Sequence, residues 1–321
     1  MFTADAARRN GRPSAGPGER VLAVEGVTKR YGRRVAVEDL SLALGPGEIV
    51  GLVGGNGGGK TTTLRILGGL LMPDAGQGSV LGFDLVRNAR NIRRHVGYMS
   101  QRLSLYTELS VLENLRFRAQ VYGARRPRAV AEAALDEFDL TEYARMPAGR
   151  LSGGWARRLQ LAACMIHLPR LLLLDEPTAG LDAVSRQEVW RRLADKAAEG
   201  VSVVISTHDL AQAEWCTRAA LLSEGRIAAV GTPEQVARSA PASAFVLQGA
   251  PVRPLAHILY AIPGVVAIYP QGPSLRIVAA DTAEAHLASA ATMHGASLSR
   301  VDMRLEDAAI AFSTRNVRSR A

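Results

Sequence analysis

Residues 48–61 read "EIVGLVGGNGGGKT". A short apolar run, EIVGLV (48–53), passes straight into GGNGGGKT (54–61), and TTTLRILGGLL (61–71) then takes up helical spacing. The loop satisfies G-x-x-x-x-G-K-[ST] in full, and it stands between a strand and a helix, where such a loop must stand. Backbone N–H groups of Gly57, Gly58, Gly59 and Lys60 are placed to wrap a β-phosphate. Lys60 supplies positive charge to β/γ oxygens, and Thr61 offers a hydroxyl to Mg²⁺. A flexible glycine linker would have no need of Lys-Thr at its end.

Working outward, LLLLDE (171–176) is an apolar strand that delivers Asp175 and Glu176 at its carboxyl tip. That is the expected partner of a phosphate loop. Asp175 would hold Mg²⁺ through water, and Glu176 would polarise an attacking water as general base. Strands are expected at 21–26, 35–43, 96–99 and 201–206, with helices at 110–122, 128–138 and 184–199. Residues 102–150 read as a mostly helical insert. Strands alternating with helices imply a parallel sheet with crossover helices. A helix over 209–217 and a hairpin (219–223 and 226–230) follow. Composition shifts at RSAPASA (238–244), a linker signal. Beyond it come a strand (244–248), a helix (252–262), strands 264–269 and 274–279, a helix (282–294), a strand (297–303) and a helix (304–313). That is a small α+β module of ferredoxin-like pattern.

The 321 residues allow one large or two smaller domains. The net charge of +9 is carried mostly by Arg. It admits nucleic acid or an anionic membrane face, and equally an Arg-rich composition of solvated side chains, since the charge is spread along the chain. Two cysteines, Cys164 and Cys216, have no metal-type spacing and fit a reducing compartment. Residues 1–20 are polar and rich in Gly, Pro and Arg, and are expected to be a disordered tail. Residues 254–275 carry no formal charge and are long enough to span a membrane. Pro263-Gly264, Pro270 and Pro273 break them into a helix and two strands, so no transmembrane helix is expected.

In RLSGGWARRLQLAA (150–163), Ser152, Gly153 and Gly154 open a helix whose first N–H groups are unpaired, which makes an anion site. With GGNGGGKTT, LSGGW, LLLLDEPTAGLD and STHD in this order and spacing, the chain resembles ABC-transporter ATP-binding subunits over about residues 21–235. The resemblance implies an α/β phosphate-loop ABC ATPase fold over 21–237, with a mixed sheet, flanking helices and a helical subdomain at about 102–168. Residues 238–321 would then be a linker and an accessory α+β, ferredoxin-like C-terminal module. It implies ATP and Mg²⁺ as ligands, with Gly54, Gly55, Asn56, Gly57, Gly58, Gly59, Lys60, Thr61 and Thr62 as the phosphate cradle. By the same resemblance Tyr31 stacks on adenine, Gln101 contacts Mg²⁺ and links the site to a membrane partner, and His208 is the switch histidine on the γ-phosphate. Asp182 belongs to the loop that couples two protomers. The anion at Ser152, Gly153 and Gly154 is then the γ-phosphate of ATP held by another subunit. The implied assembly is a homodimer or paired ATPase subunits around two ATP, bound to a separate integral-membrane permease at the cytoplasmic face of the plasma membrane. No nucleic acid is expected.

Three positions depart from the family's usual pattern. Gly55 and Gly58 stand where Pro and Ala are usual, and imply a looser empty loop that ATP orders. Trp155 stands where Gln is usual. Either it packs against the helical insert or it takes part in transmission to the permease. LSGGW, VGYMSQRLSLYTELSVLENLRF (96–117) and the terminal LEDAAIAF (305–312) are similar to multidrug and daunorubicin-resistance-type exporter subunits, which supports export. A non-transport ABC ATPase of translation or DNA repair, and an importer ATPase, remain competing readings. The single cassette without coiled coil or cysteine cluster weighs against the first.

Overall fold

The computed structural model describes residues 20–249 and 252–318, so the expected tail over 1–20 lies outside the described residues except for Arg20. Two compact units divide the chain. The first runs to His208 and includes Glu224–Arg226; the second comprises Asp209–Ser223 and the chain from Ile227 on.

The first unit contains β1 (Leu22–Tyr31), β2 (Arg34–Leu44), β3 (Ile49–Val53), α1 (Lys60–Leu67), β4 (Ala75–Val80), β5 (Phe83–Asp84), α2 (Ala89–His95), β6 (Val96–Met99), α3 (Val111–Val121), α4 (Pro127–Glu137), α5 (Gly153–Met165), β7 (Leu171–Asp175), α6 (Ala183–Ala198) and β8 (Ser202–Thr207). Strands β3, β8, β7 and β6 lie side by side in that order, all parallel. Every residue of IVGLV, LLLLD and SVVIST is buried. Continuous apolar runs of this kind belong to strands covered on both faces. Register then decides where the site forms. Val53 pairs with Thr207, and Asp175 with Ser206, so three strands end at the same level.

The expected mixture of strand directions is present and is divided between two sheets. The antiparallel one has the order β2-β1-β4-β5. Strand β4 (AGQGSV) was not expected from the sequence, because it has no apolar alternation. Its glycines explain it: a Cβ on Gly78 would lie 2.3 Å from the Ala23 carbonyl oxygen, so only glycine lets β4 approach β1. Helix α2 was equally silent, since ARNIRRH buries Ile92 alone. In the helical insert, α3 begins with a capping box between Ser110 and Glu113 and packs on α4 and α5. Asn114 is buried and exchanges hydrogen bonds with the Tyr106 backbone, fixing the loop ahead of α3.

The second unit holds α7 (Leu210–Ala213), β9 (Arg218–Ser223), β10 (Arg226–Gly231), α8 (Pro233–Arg238), β11 (Ser243–Gly249), α9 (Ala256–Tyr260), β12 (Val265–Gln271), β13 (Ser274–Ala279), α10 (Glu284–Met293), β14 (Ala296–Val301) and α11 (Leu305–Arg318). The helix expected over 209–217 is only α7, capped by Asp209. The helix expected over 252–262 opens as a 3₁₀ turn at Arg253–Leu255, where Pro254 lacks an N–H, and becomes α9 after it. Strands β12, β13, β11 and β14 form an antiparallel sheet in that order. Phe245, Leu247, Leu259, Leu275, Ile277 and Leu287 lead its core. Helix α11 packs on α8 and β9, so the composition break at 238–244 falls inside this unit.

Within LEDAAIAF, Asp307 is fully buried and bonds the guanidinium of Arg276, itself 2 % exposed. It also accepts from the Tyr269 hydroxyl and from the Arg304 backbone N–H, and Arg276 donates further to the Asp302 carbonyl. Burial alone would raise the Asp307 pKa, but the hydrogen bonds from Arg276, Tyr269 and Arg304 hold it below the usual carboxylate range.

Candidate nucleotide site

The level at which β3, β7 and β8 end gathers the polar groups of the first unit. Lys60 is the first residue of α1 and 6 % exposed. Its ammonium donates to the carbonyls of Gly54 at 2.7 Å and Gly55 at 2.9 Å, within its own loop. Burial lowers its pKa, and the nearby Glu176 and Asp175 charges oppose that shift. Gly59 has φ +97°, and a Cβ there would lie 2.4 Å from the Ala36 carbonyl oxygen, so the turn into α1 requires glycine. Gly55, Asn56 and Gly57 are exposed, Gly54, Gly58, Thr61 and Thr62 half-buried. A Cβ on Gly55 would meet nothing within 4 Å.

Opposite the loop, the Thr61 hydroxyl donates to Asp175 Oδ1 at 3.1 Å. Ser206 Oγ donates to the same oxygen at 2.6 Å and accepts from the Glu176 N–H at 3.0 Å. Ser206 is fully buried and sets both acids, a role that sequence reasoning missed; its place two residues before His208, at the end of an apolar strand, was the available signal. Glu176 has φ +48°, a left-handed conformation that is costly for a residue with a Cβ. Its two carboxylate oxygens are shared out. Gln101 Nε2 donates to Oε2 at 3.0 Å, and His208 Nδ1 lies 3.0 Å from Oε1. Four separate chain segments thus bring Lys60 and Thr61, Asp175 and Glu176, Gln101, and His208 to one place.

Tyr31 is 49 % exposed at the end of β1, paired with Arg34. Arg34 in turn donates to the Gly57 carbonyl at 3.5 Å, so this hairpin tip borders the glycine loop.

The remaining expected residues form a second group. Ser152 is the N-cap residue of α5 and makes no side-chain cap hydrogen bond. Asp182 caps α6, accepting from the Ser185 N–H at 2.9 Å and hydroxyl at 2.7 Å. Those two bonds hold its pKa below the ordinary range. Ser152, Gly154, Trp155 and Asp182 line a cavity of about 370 Å³ between α5 and α6, and none of residues 54–62, Gln101, Asp175, Glu176 or His208 lines it. Trp155 lies against Tyr143 of the helical insert, ring centroids 4.4 Å apart, with the Arg158 guanidinium 4.3 Å from its ring. Of its two readings, packing is the one that these contacts favour. Arg158 and Arg192 both bond Asp139 and Glu188, tying α5, α6 and the end of α4 together.

The residues gathered here suit the phosphates of a nucleotide. A buried ammonium faces an open glycine loop, and Thr61 and Asp175 offer hard oxygen donors beside it. Among the described residues there is no group of three or more His, Cys, Asp or Glu that could hold a metal. The cation would therefore depend on hydroxyl and substrate oxygens as well as on Asp175.

Comparison with known proteins agrees with this geometry. The ABC transporter family profile matches residues 37–179. The chain is 41% identical over 222 residues to the "Probable multidrug ABC transporter ATP-binding protein YbhF" of Escherichia coli; the match covers 68% of this chain and 38% of that protein. It is 40% identical over 218 residues to the daunorubicin resistance ATP-binding protein DrrA3 of Streptomyces coeruleorubidus, covering 67% of this chain and 69% of that one. It is 41% identical over 216 residues to the Nod factor export ATP-binding protein I of Burkholderia orbicola, covering 66% and 71%. Among solved structures, the ATP-binding subunit of an ABC transporter superposes with a TM-score of 0.62 at 31% identity, covering 68% of this chain and 92% of that one. An ATP-binding cassette in a dimeric post-hydrolysis state with ADP and Pi superposes with a TM-score of 0.61 at 26% identity, covering 66% and 98%. The chain belongs to the ATP-binding proteins of the ABC transporter family.

Proposed function

We propose that the protein binds and hydrolyses MgATP as the energy-supplying subunit of an ABC exporter. Two copies, or one copy and a paired ATPase subunit, close head-to-tail around two ATP and drive a separate integral-membrane permease from the cytoplasmic face of the membrane. The observation that carries this reading is the convergence of Lys60, Thr61, Asp175, Glu176, Gln101 and His208 at the carboxyl ends of parallel strands.

The roles follow from the contacts. Lys60 leaves its loop carbonyls for β/γ oxygens, which compensate its buried charge better than neutral carbonyls do. Thr61 and Asp175, with Gln101, would hold the Mg²⁺, which when bound would neutralise charge on the phosphate oxygens. Glu176 accepts the proton of the attacking water as general base, while Gln101 and His208 fix its two oxygens. The separation of the signature residues from the phosphate loop supports completion by a partner. The chain itself has no need of a glycine at position 153, where a Cβ would meet nothing within 4 Å, so the opening suits a ligand brought from outside.

Export is supported by relatives named for multidrug, daunorubicin and Nod factor systems, and small-molecule efflux is the substrate class they suggest. The permease would dock on the helical insert, where Leu103, Tyr106, Phe117 and Val121 are exposed apolar side chains. Among the described residues no helix is long and apolar enough to cross a membrane, which suits a permease on a different chain. The strand order and helix placement of the second unit support reading it as a ferredoxin-like accessory module.

The test is turnover of Glu176→Gln. ATP hydrolysis should fall by about 10²–10⁴-fold, the range for loss of a general base, while an ATP-bound dimer accumulates in size-exclusion chromatography. Turnover equal to the parent would remove Glu176 from the role. Co-purification with ribosomes instead of a membrane protein would overturn the transport assignment.

A further inference from the structure

Helix α5 carries more than the signature at its N-terminus. Arg157 lies on its first turns and is 9 % exposed; Gln160, one turn on, is 3 % exposed. Every hydrogen bond of the Arg157 guanidinium goes either to Gln160 or to the segment that carries Gln101. Nη1 donates to the Ser100 carbonyl at 3.3 Å and to Gln160 Oε1 at 3.0 Å, and Nη2 donates to the Gln101 carbonyl. Gln160 Nε2 donates to the carbonyls of Ser100 at 3.1 Å and Arg102 at 3.0 Å, and to Ser104 Oγ at 3.3 Å. Two side chains of one helix face thus hold four polar atoms of residues 100–104 through five hydrogen bonds.

An irregular segment whose residues 101–104 are exposed can bond water in many conformations, so it keeps one conformation only where fixed protein donors take its carbonyls. Residues 100–104 belong to neither helix nor strand, so their geometry depends on side chains from elsewhere. The side chain at stake is that of Gln101, whose amide reaches Glu176. Burying a guanidinium is expensive unless its donors are satisfied. Here the satisfied donors converge on the segment that must be aimed. The cation also faces Glu176 and Asp175, whose charges partly offset its desolvation.

We propose that Arg157, aided by Gln160, is a positioning residue for hydrolysis: it fixes the backbone at Ser100 and Gln101 so that the Gln101 amide meets Glu176, and it makes the signature helix and the Gln101 segment move as one body. The inference rests on the ATPase reading above for its catalytic half and on geometry alone for its mechanical half. A partner's phosphate arriving at Ser152–Gly154 would then shift Gln101 through a single helix. The link is two turns long and has no flexible joint.

Arg157→Lys is the informative variant. It keeps the charge, but a single ammonium lacks the planar fork that spans two successive carbonyls. Hydrogen–deuterium exchange of the full chain should show residues 100–104 exchanging at least about fivefold faster than in the parent, while 54–62 and 171–176 are unchanged. In steady-state kinetics kcat should fall about tenfold or more, the scale of a misplaced reacting group, with KM for ATP within about twofold of the parent. Gln101→Ala should lower kcat as well, and the Arg157→Lys/Gln101→Ala double variant should be no slower than Gln101→Ala alone, because both act through one amide. Unchanged exchange at 100–104 overturns the clamp, as does a rise spread evenly over the whole first unit. Multiplicative losses in the double variant overturn the route through Gln101. If the parent itself hydrolyses no ATP, the ATPase reading fails, while the exchange comparison still decides the clamp.

Discussion

Among the described residues, two groups of buried charge follow opposite plans. In the second unit, Asp307 and Arg276 come from a regular helix and a regular strand and bond each other through two guanidinium nitrogens, with the Asp302 carbonyl and the Arg304 N–H as further partners. In the first unit, Lys60 folds back on its own loop, and Glu176 is held in a left-handed conformation by contacts from two other segments. The first arrangement satisfies itself. The second is closed with makeshift partners that a ligand could replace with better ones. Charge kept for structure is paired permanently; charge kept for chemistry is paired in a way that can be exchanged.

The largest effect that would break this contrast is in the second unit. Asp307→Asn leaves Arg276 as a buried cation without its counter-ion and should cost about 3–5 kcal/mol of stability, read as a lowered denaturation midpoint. ATP affinity should not change. The sign with pH follows from the direction of the shift. The Asp307 pKa is lower folded than its ordinary value of 3.8, so its stabilisation is complete above that value and is lost as pH falls through the lower folded one. Melting curves from pH 6 to pH 3 should therefore show an acid-side loss in the parent that shrinks in Asp307→Asn. An equal acid slope in both would break the comparison from this side.

Lys60→Ala probes the other side and should do the reverse. Removing a desolvated ammonium whose partners are carbonyls of its own loop should leave the nucleotide-free midpoint nearly unchanged. Nucleotide affinity should fall by roughly tenfold to a hundredfold, since a hydrogen bond to a charged group contributes about 1.5–3 kcal/mol. Isothermal titration with ADP and thermal melting together read both. A large loss of nucleotide-free stability would mean that Lys60 is as structural as Arg276.

The two plans also differ in how legible they were. The cluster at the strand ends could be read because its residues sit at fixed offsets from apolar runs: Lys60 and Thr61 after EIVGLV, Asp175 and Glu176 at the end of LLLLDE, His208 after VSVVIS. Strand register turns those offsets into proximity, as the pairs Val53↔Thr207 and Asp175↔Ser206 confirm. Arg157 and Gln160 were illegible for the opposite reason. They act mainly on backbone carbonyls, which carry no residue-type signature, and those carbonyls lie 56 to 60 residues away. Strand β4 was missed because its reason for being a strand is two glycines that fit under β1, not a hydrophobic pattern. The Arg276–Asp307 pair was hidden because each residue alone reads as a surface charge in a strand or helix.

Trp155 sharpens the comparison from within the first unit. It touches Tyr143 and Arg158, not the groups at the strand ends. Trp155→Gln should therefore cost about 0.5–1.5 kcal/mol, the value of one aromatic pair beyond burial, and leave ATP turnover intact. Loss of turnover at unchanged stability would instead favour the transmission reading of this residue.

The smallest effect carries the clearest sign. Glu176 has φ +48° with a Cβ present; its N–H is held by Ser206 Oγ and the Ser206 carbonyl, and its carboxylate by Gln101 and His208. Such a conformation costs about 1–3 kcal/mol and persists only where the surroundings impose it. Glu176→Gly removes the steric cost and the two side-chain contacts together, and it enlarges the unfolded ensemble by about 0.5–1 kcal/mol. The first effect slightly exceeds the others, because His208 is half exposed and its hydrogen bond to Glu176 is a weak contributor. The variant should melt at the parent's temperature or a degree or two above it while losing turnover as completely as Glu176→Gln. A residue whose deletion stabilises the fold and abolishes the reaction is held there for the reaction. A variant that melts several degrees lower would instead place Glu176 with Asp307, among the charges kept for structure.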